Sequence, residues 1–244
     1  AREKGTVKKV KAIIKKELRL YYTTPVGYVF TAVMLCVAAI LFTVFNLMDS
    51  NSSVSVIFSF LPWLFVIMIP LLTMRLLSEE KSNKTDQLLY TAPISMTSVI
   101  LGKLFAALAV FCVTILIMLI FPIILEIYSD VEWGVVITNY IGFFLLGSTF
   151  ISIGLFISSL TENQFVSGII TIAVILVMFV AASLTGGISN KAVNLLISVF
   201  AVPSRFDNFF IGIINITDVV YYISVTAIFA LITIYKTEKV RFSK

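Results

Sequence analysis

Long apolar runs separated by short polar connections are the dominant pattern along this chain of 244 residues. Six runs approach or exceed the roughly 20 apolar residues that a membrane-spanning helix needs, and none contains Asp, Glu, Lys or Arg. They cover residues 26–48, 56–74, 104–125, 133–160, 165–184 and 219–235. A charge at the centre of a spanning helix costs about 2.5–3.5 kcal/mol on insertion scales, so unbroken runs indicate spanning helices. We predict an all-α integral membrane protein of six spans, forming one domain over residues 1–244.

Composition agrees with this prediction and excludes several kinds of chemistry. Hydrophobic residues make up 59% of the chain and charged residues only 13%, whereas soluble domains carry about 25% charged residues. The sequence has no histidine, and its two cysteines, Cys36 and Cys112, both fall inside apolar runs. Histidine-based catalytic pairs and histidine-ligated metals are therefore excluded, and no cysteine metal spacing is present. We expect no cofactor bound by this chain.

The basic residues lie almost entirely on one predicted side of the membrane. All but two of the 18 Lys and Arg residues fall in residues 1–25, in residues 75–103 or after residue 235; the exceptions are Lys191 and Arg205. By the positive-inside rule, both termini and the connection at 75–103 lie in the cytoplasm. The net charge of +5 is thus explained by topology, and nucleic acid is not expected as a partner.

Two segments outside the spans predict helices of their own. In residues 1–25, apolar residues recur at helical spacing between lysines, which predicts an amphipathic helix on the inner membrane surface. This helix could be a basic anchor or could also contact a cytoplasmic partner. Residues 185–218 contain an eleven-residue apolar run at 192–202 that is too short to span. Such runs are typical of re-entrant or interfacial helices, here forming either a packed outer cap or a substrate gate before span six.

The charged stretch at 75–95, which we call the elbow, predicts a short helix that ends at Pro93. Thr85 can cap this helix, and Leu88 and Leu89 would form an apolar knob suited to a groove on a partner. A solvated loop is the alternative. In the fourth span, Gly147, Gly154 and Ser158 share one face. Small residues at this spacing predict close helix packing, with a substrate path as the alternative.

The elbow resembles the connection between spans two and three of ABC-2 type transporter permeases, including gliding-motility-associated and related bacterial export permeases. The positions that carry the resemblance are Arg75, Glu79, Glu80, Lys81, Lys84, Thr85, Leu88, Leu89, Pro93, Ile94, Ser95, Gly102 and Lys103. Lys84 departs from the family pattern, which commonly has Gly before the Thr.

Two further segments are similar to the same family, so the resemblance covers nearly the whole chain. Before the first span, the matching residues include Lys15, Lys16, Glu17 and Leu18. Before the last span, they are Ser204, Phe206, Phe209, Gly212, Asp218, Tyr221 and Tyr222.

The resemblance implies a permease subunit of a bacterial ABC exporter in the plasma membrane, paired with a second permease that is identical or homologous. Two ATPase subunits would bind beneath, with the elbow as a coupling helix seated in an ATPase groove. Arg75, Glu79, Glu80 and Lys84 would make polar contacts there, and Leu88 and Leu89 would fill the groove. ATP and Mg²⁺ would be bound by the partner, because this sequence has no G-x-x-x-x-G-K-[ST] loop. The cargo would be amphipathic: lipid-like, a peptide or a glycan.

Three other classes of function compete with this interpretation. An ion-coupled carrier usually places carboxylates inside its spans, and the six runs contain none. An intramembrane enzyme would need catalytic groups at one depth, which the runs also lack. A membrane anchor that transmits a signal to an ATPase without transport fits the elbow nearly as well as an exporter does.

Overall fold

The computed structural model describes residues 2–48, 53–85, 95–185 and 197–243, with side chains described from residue 10 to residue 240. Regular structure in these ranges is helical throughout. The principal helices are α1 (Arg2–Thr23), α2 (Pro25–Phe42), α3 (Ser55–Thr73), α4 (Ser78–Ser82), α5 (Met96–Met118), α6 (Ile120–Tyr128), α7 (Trp133–Leu160), α8 (Gln164–Leu184), α9 (Phe206–Phe210) and α10 (Ile216–Ser243). A π-helical turn at Thr43–Met48 extends α2, and a 3₁₀ turn at Val202–Arg205 precedes α9.

Within the described residues, six helical segments are long and apolar enough to cross a membrane, which confirms the predicted fold class. They are Pro25–Met48, Ser55–Ser82, Met96–Tyr128, Trp133–Leu160, Gln164–Leu184 and Ile216–Val240. The third begins well before the apolar run at 104–125, because Ser95 caps the helix by accepting from the Ser98 N–H and the helix then runs on through Lys103. The sixth likewise extends beyond the run at 219–235 at both ends.

Helix α7 lies at the centre of the bundle. In the apolar stretch of α7, 83% is buried inside the protein, whereas only 22% is buried in the corresponding stretches of the spans formed by α2 and α10. It packs against α3, α5, α8, α9 and α10, while α1 packs against α5 and α2. Lipid tails are as apolar as leucine, so helices in a membrane associate through close packing and hydrogen bonds rather than through the hydrophobic effect. The central helix is therefore expected to carry small side chains.

Small residues of α7 meet large or branched neighbours directly. A Cβ atom added at Gly147 would overlap the Phe111 ring, and one added at Gly154 would overlap the Thr73 side chain. Ser158 continues this face toward the elbow, where its hydroxyl group bonds to backbone groups after α3. These three positions thus lie where other helices approach α7 most closely.

Aromatic rings fill the interior between α3, α5 and α7. Phe65 lies at the centre of this cluster, with ring centroids 5.6 Å from Phe111, 4.5 Å from Phe143 and 6.1 Å from Phe150. Aromatic pairs in such geometries contribute about 0.5–1.5 kcal/mol each beyond their buried area. The cluster fixes the middle of the bundle and leaves its two ends as the places where polar groups gather.

Candidate functional site

A lysine buried at one end of the bundle joins three helices. Lys103 lies on α5, and its side chain is only 3% exposed. Its ammonium group donates to a carboxylate oxygen of Glu17 on α1 at 3.0 Å and lies 2.9 Å from a carboxylate oxygen of Glu80 on α4. Removing a charge from water costs several kcal/mol unless the charge is paired. The two carboxylates, brought from distant parts of the sequence, therefore make the buried lysine tolerable.

A second ion pair lies beside this buried triad. Arg75 donates from Nε to one oxygen of Glu79 at 2.8 Å and from Nη2 to the other oxygen at 2.9 Å. The planar guanidinium group matches a carboxylate in this two-point geometry, which fixes both side chains. Each side chain is 26% exposed, so this pair lies nearer the surface than the Lys103 triad does.

The Lys103 triad and the Arg75–Glu79 pair border one cavity of about 280 Å³ between α1, α4 and α5. Its charged lining consists of Lys16, Glu17, Arg75, Glu79, Glu80 and Lys103. Tyr21 also lines it and donates its phenolic hydrogen to the Leu72 carbonyl oxygen at 2.9 Å, while burial raises the pKa of Tyr21 well above its usual range. We call the six charged residues of the lining, from Lys16 to Lys103, the charged cluster. Its acidic and basic groups balance, which suits a structural junction better than a site for a free ion.

Ser158 fixes the start of the elbow to the central helix. Its hydroxyl oxygen accepts from the backbone N–H groups of Leu77 and Ser78 at 3.0 and 3.1 Å, and the hydroxyl donates to the Met74 carbonyl at 3.2 Å. These backbone groups lie between α3 and α4, where the helical hydrogen-bond ladder is interrupted. One side chain of α7 thus satisfies the polar groups that the turn leaves unpaired.

Two lysines add a further link at the end of α7. Lys81 of α4 and Lys236 of α10 both donate to the carbonyl oxygen of Ser159. The last carbonyl groups of a helix carry partial negative charge, so cations are favourable there. The elbow is consequently held by α1 and α5 on one side and by α7 on the other, while Lys236 ties α10 to the same carbonyl group of α7.

Lys84 adopts the left-handed backbone conformation just after α4, with φ of 56°. The Thr85 N–H bonds to the Glu80 carbonyl at 2.9 Å, and the Lys84 N–H bonds to the Lys81 carbonyl at 3.0 Å. This pair of bonds is a common way to end a helix, and the left-handed position usually holds glycine because a Cβ atom is unfavourable there. The departure from the family's glycine at this position therefore places a side chain on a strained residue.

The predicted coupling residues fall into three groups: some are paired within the chain, some are exposed, and some lie outside the described residues. Arg75, Glu79 and Glu80 make their ion pairs within the chain, and Lys84 is exposed. The Thr85 hydroxyl donates back to the Glu80 carbonyl at 3.2 Å, so within the described residues Thr85 closes α4. Leu88, Leu89 and Pro93, together with the helix that Thr85 was expected to begin, lie outside the described residues. Contact of these side chains with an ATPase stays a prediction.

The predicted interfacial helix forms as α1, with its residues divided between two faces. Lys15 and Lys16 are exposed, Leu18 is partly buried, and Glu17 points inward to Lys103. Thr24 is extended and Pro25 begins α2, which separates the two helices. The face of α1 that meets α5 is thus anchored by a buried ion pair, and contact of the other face with the membrane stays a prediction.

A separate polar junction lies at the opposite end of the bundle, in the described part of residues 185–218, which we call the outer segment after their predicted side of the membrane. Asp218 is buried and accepts from Arg205 Nη1 at 3.0 Å and from Asn208 Nδ2 at 2.7 Å. The Arg205 guanidinium group also lies 4.2 Å from the centroid of the Tyr221 ring. These contacts tie α9 and the preceding turn to the start of α10.

The other predicted residues of the outer segment pack beneath this junction or turn the chain. Phe206 and Phe209 are buried, and Phe209 lies against Gly142 of α7, where a Cβ atom would overlap its ring. Gly212 has a φ of 87°, a backbone conformation that residues other than glycine rarely adopt. The described part of the outer segment is therefore packed onto α7.

Sequence reasoning missed the partners of the two junctions. Lys103 entered the prediction only through the count of basic residues at 75–103 and the family pattern, and Arg205 only as an exception to the charge distribution. The position of Lys103, directly before the third apolar run, could have indicated its role. A lysine that is buried in a helix at such a position needs a carboxylate as a partner. The sequence does not indicate which carboxylate, because Glu17 lies 86 positions away.

The fold and the junctions define a multi-pass helical membrane protein with a connection between spans two and three that is locked to the bundle. The family model described as "ABC-2 family transporter protein" matches residues 11–243. The chain therefore belongs to the ABC-2 transporter family, in agreement with the resemblance seen in its sequence. It is a membrane permease subunit of an ABC transporter, and its family implies association with an ABC ATPase. No curated protein matches the chain.

Replacing Lys103 by Met should destabilise the protein strongly. Lys103→Met would leave Glu17 and Glu80 buried without a cation, and breaking a buried ion pair from one side costs about 3–5 kcal/mol. Unfolding by heat or denaturant in mild detergent measures the loss of stability. Adding Glu17→Gln and Glu80→Gln to Lys103→Met should recover much of it.

The control is Glu79→Gln, which breaks the more exposed Arg75 pair and should cost less stability than Lys103→Met does. A Lys103→Met variant that is no less stable than Glu79→Gln would contradict the structural importance of the triad.

Replacing Lys84 by Gly should relieve the backbone strain after α4. Asn83 has an ordinary φ of −84°, so Asn83→Gly serves as a matched control that carries the same unfolded-state cost of a new glycine. We expect Lys84→Gly to be more stable than Asn83→Gly by about 1–2 kcal/mol in the same unfolding measurement. Equal stability of the two variants would show that Lys84 is not held in the left-handed conformation.

Proposed function

We propose that this chain is the permease subunit of a bacterial ABC exporter that moves an amphipathic cargo outward across the plasma membrane. Both termini and the elbow face the cytoplasm in this proposal. A pair of ATPase subunits docks beneath the elbow and binds ATP and Mg²⁺, and a second permease, identical or homologous, completes the path. The cargo is lipid-like, a peptide or a glycan.

The observation that carries the proposal is the set of ion pairs and hydrogen bonds that join the elbow to the helix bundle. Glu80 reaches the buried Lys103, and through it Glu17 of α1. On the opposite side, Ser158 holds the backbone at Leu77. A segment that only separated two spans in water would need neither a buried ion triad nor hydrogen bonds to the central helix. These contacts suit a segment that must pass force to several helices at once.

The residues of the chain then have distinct mechanical roles. Closure of the ATPase pair would displace the apolar knob at Leu88 and Leu89. The displacement would reach α4 through the turn at Lys84, and the Glu80–Lys103–Glu17 contacts would move α1 and α5 together with it. Ser158 and Ser159 would transmit the same movement to α7. Two bundles displaced in this way would open and close a path along their shared boundary.

The same fastening would serve a membrane anchor that passes a signal to its ATPase without moving a cargo. Inverted membrane vesicles separate the two functions, because an exporter accumulates cargo inside them when ATP is supplied. Fluorescent lipid, peptide and glycan analogues are suitable probes. Accumulation that requires both ATP and an intact elbow supports export, and ATP hydrolysis without accumulation supports the anchor.

Placing a charge in the apolar knob should uncouple the ATPase. In Leu88→Asp, the aspartate would have to enter the ATPase groove without a partner, so we expect stimulation of ATP hydrolysis by the permease to fall at least fivefold, about 1 kcal/mol of coupling. The matched control is Tyr128→Asp, an exposed position at the opposite end of the bundle, which should leave stimulation unchanged.

Co-purification in mild detergent shows whether each complex still assembles. Full stimulation in Leu88→Asp would remove the elbow from the coupling mechanism. Equal loss in both variants would show that the effect is not specific to the elbow.

A further inference from the structure

A cavity of about 330 Å³ lies between α3, α8 and α9, at the end of the bundle opposite the charged cluster. Aromatic rings and one carboxylate dominate its lining. These rings and the carboxylate belong to Phe58, Trp63, Phe179, Phe206, Phe210 and Asp207. Neither the family assignment nor the proposed coupling mechanism gives this cavity a role.

The wall of the cavity contains a rigid aromatic surface. Trp63 of α3 stacks on Phe179 of α8, with ring centroids 4.5 Å apart and planes inclined at 27°. Phe58 and Phe206 are buried behind the surface and keep the wall in place. Trp63 itself stays 53% exposed. The face of an indole ring is the best side-chain acceptor for a cation–π contact, so an exposed Trp in a fixed position suits a cationic group.

Asp207 brings a negative charge to the same cavity. The neighbouring charges Arg205 and Asp218 form an ion pair with each other, and the neutral amide of Asn208 also donates to Asp218. Among the residues that the structure describes, Asp207 forms no ion pair. Asp207 is an exposed residue at the mouth of the cavity, and the part of its carboxylate that is removed from water raises its pKa above the usual value. Lys191 lies outside the described residues.

Three serine hydroxyl groups complete the polar part of the lining. Ser59, Ser183 and Ser204 each donate their hydrogen to a backbone carbonyl of their own helix or turn. A hydroxyl oxygen that has donated its hydrogen can still accept. The polar groups that line the cavity beside the rings thus offer acceptor oxygens together with one carboxylate, which matches a ligand that carries positive charge.

We propose that this cavity binds a hydrophobic cation, an amphiphile whose ammonium or similar onium group sits between the Asp207 carboxylate and the face of Trp63. Its apolar part lies against Phe179 and Phe210. The proposal deepens the proposed function by naming the class of cargo, and it rests on that function only for the step of transport. Binding itself needs no ATPase and can be tested on the isolated chain.

Two ions of the same shape and opposite charge test the proposal directly. Tetraphenylphosphonium and tetraphenylborate share their size and rings and differ in sign. The chain has two tryptophans, so Trp133→Phe leaves Trp63 as the sole indole reporter. Titration of its fluorescence in a non-ionic detergent gives the affinity for each ion. We expect saturable quenching by the phosphonium ion and at least fivefold weaker saturable quenching by the borate ion.

Variants of the carboxylate locate the charge that selects the cation. Asp207→Asn should weaken phosphonium binding by about tenfold, whereas Asp207→Glu should keep most of it. Asp130→Asn is the matched control, because Asp130 lines another cavity that lacks aromatic rings, and it should leave the affinity unchanged. Thermal unfolding checks that each variant is folded. Equal affinity for the two ions, or no effect of Asp207→Asn, overturns the proposal.

Competition then identifies the source of the cation. Phosphatidylethanolamine, whose zwitterionic headgroup ends in an ammonium group, should displace the phosphonium ion when added to the micelles if the site takes a lipid headgroup. Lack of displacement, with binding retained, assigns the site to free hydrophobic cations. Both outcomes support a cation site. Failure of phosphonium binding in the isolated chain would remove the site and leave the coupling of the elbow to an ATPase untouched, so the two proposals fail separately.

Discussion

The buried ammonium group of Lys103 is the constraint on which the end of the bundle that carries the elbow depends. A lysine at that depth is tolerable only with carboxylates beside it, and its two partners come from α1 and α4. Helices far apart in the sequence must therefore meet at α5. The elbow, α1 and the cavity between them all border this one charge, and the bonds of Ser158 to the start of the elbow add to the same arrangement.

The two ends of the bundle solve the same problem in similar ways and with different results. Each end holds a non-spanning segment through a buried ion pair, Lys103 with Glu17 and Glu80 at one end and Arg205 with Asp218 at the other. At the elbow, the acidic and basic groups around the cavity balance. At the outer end, the carboxylate of Asp207 has no cation among the described residues, which is why we assign ligand binding there and a mechanical role to the elbow.

The parts of this structure that could be predicted are those that depend on local sequence. Span number and fold class follow from the length of the apolar runs, and the departure of Lys84 from the family pattern marked the residue that is left-handed. The pairing of Lys103 with Glu17 could not be predicted, because it depends on how α1 folds back onto α5. The early start of α5 at Met96 escaped prediction for a related reason: a helix that continues through a lysine needs the partner that tertiary packing supplies.

The central claim is that the elbow and α1 move as one body, and distance measurement between spin labels tests it most directly. In a chain with Cys36 and Cys112 replaced, labels at Lys15→Cys on α1 and Ser82→Cys on α4 occupy exposed positions. The permease–ATPase complex is then measured without nucleotide and with ATP trapped. We predict that the distance distribution within one chain stays the same while the distance between the elbows of the two permeases changes. A shift of the distance within one chain beyond the width of its distribution would contradict the account.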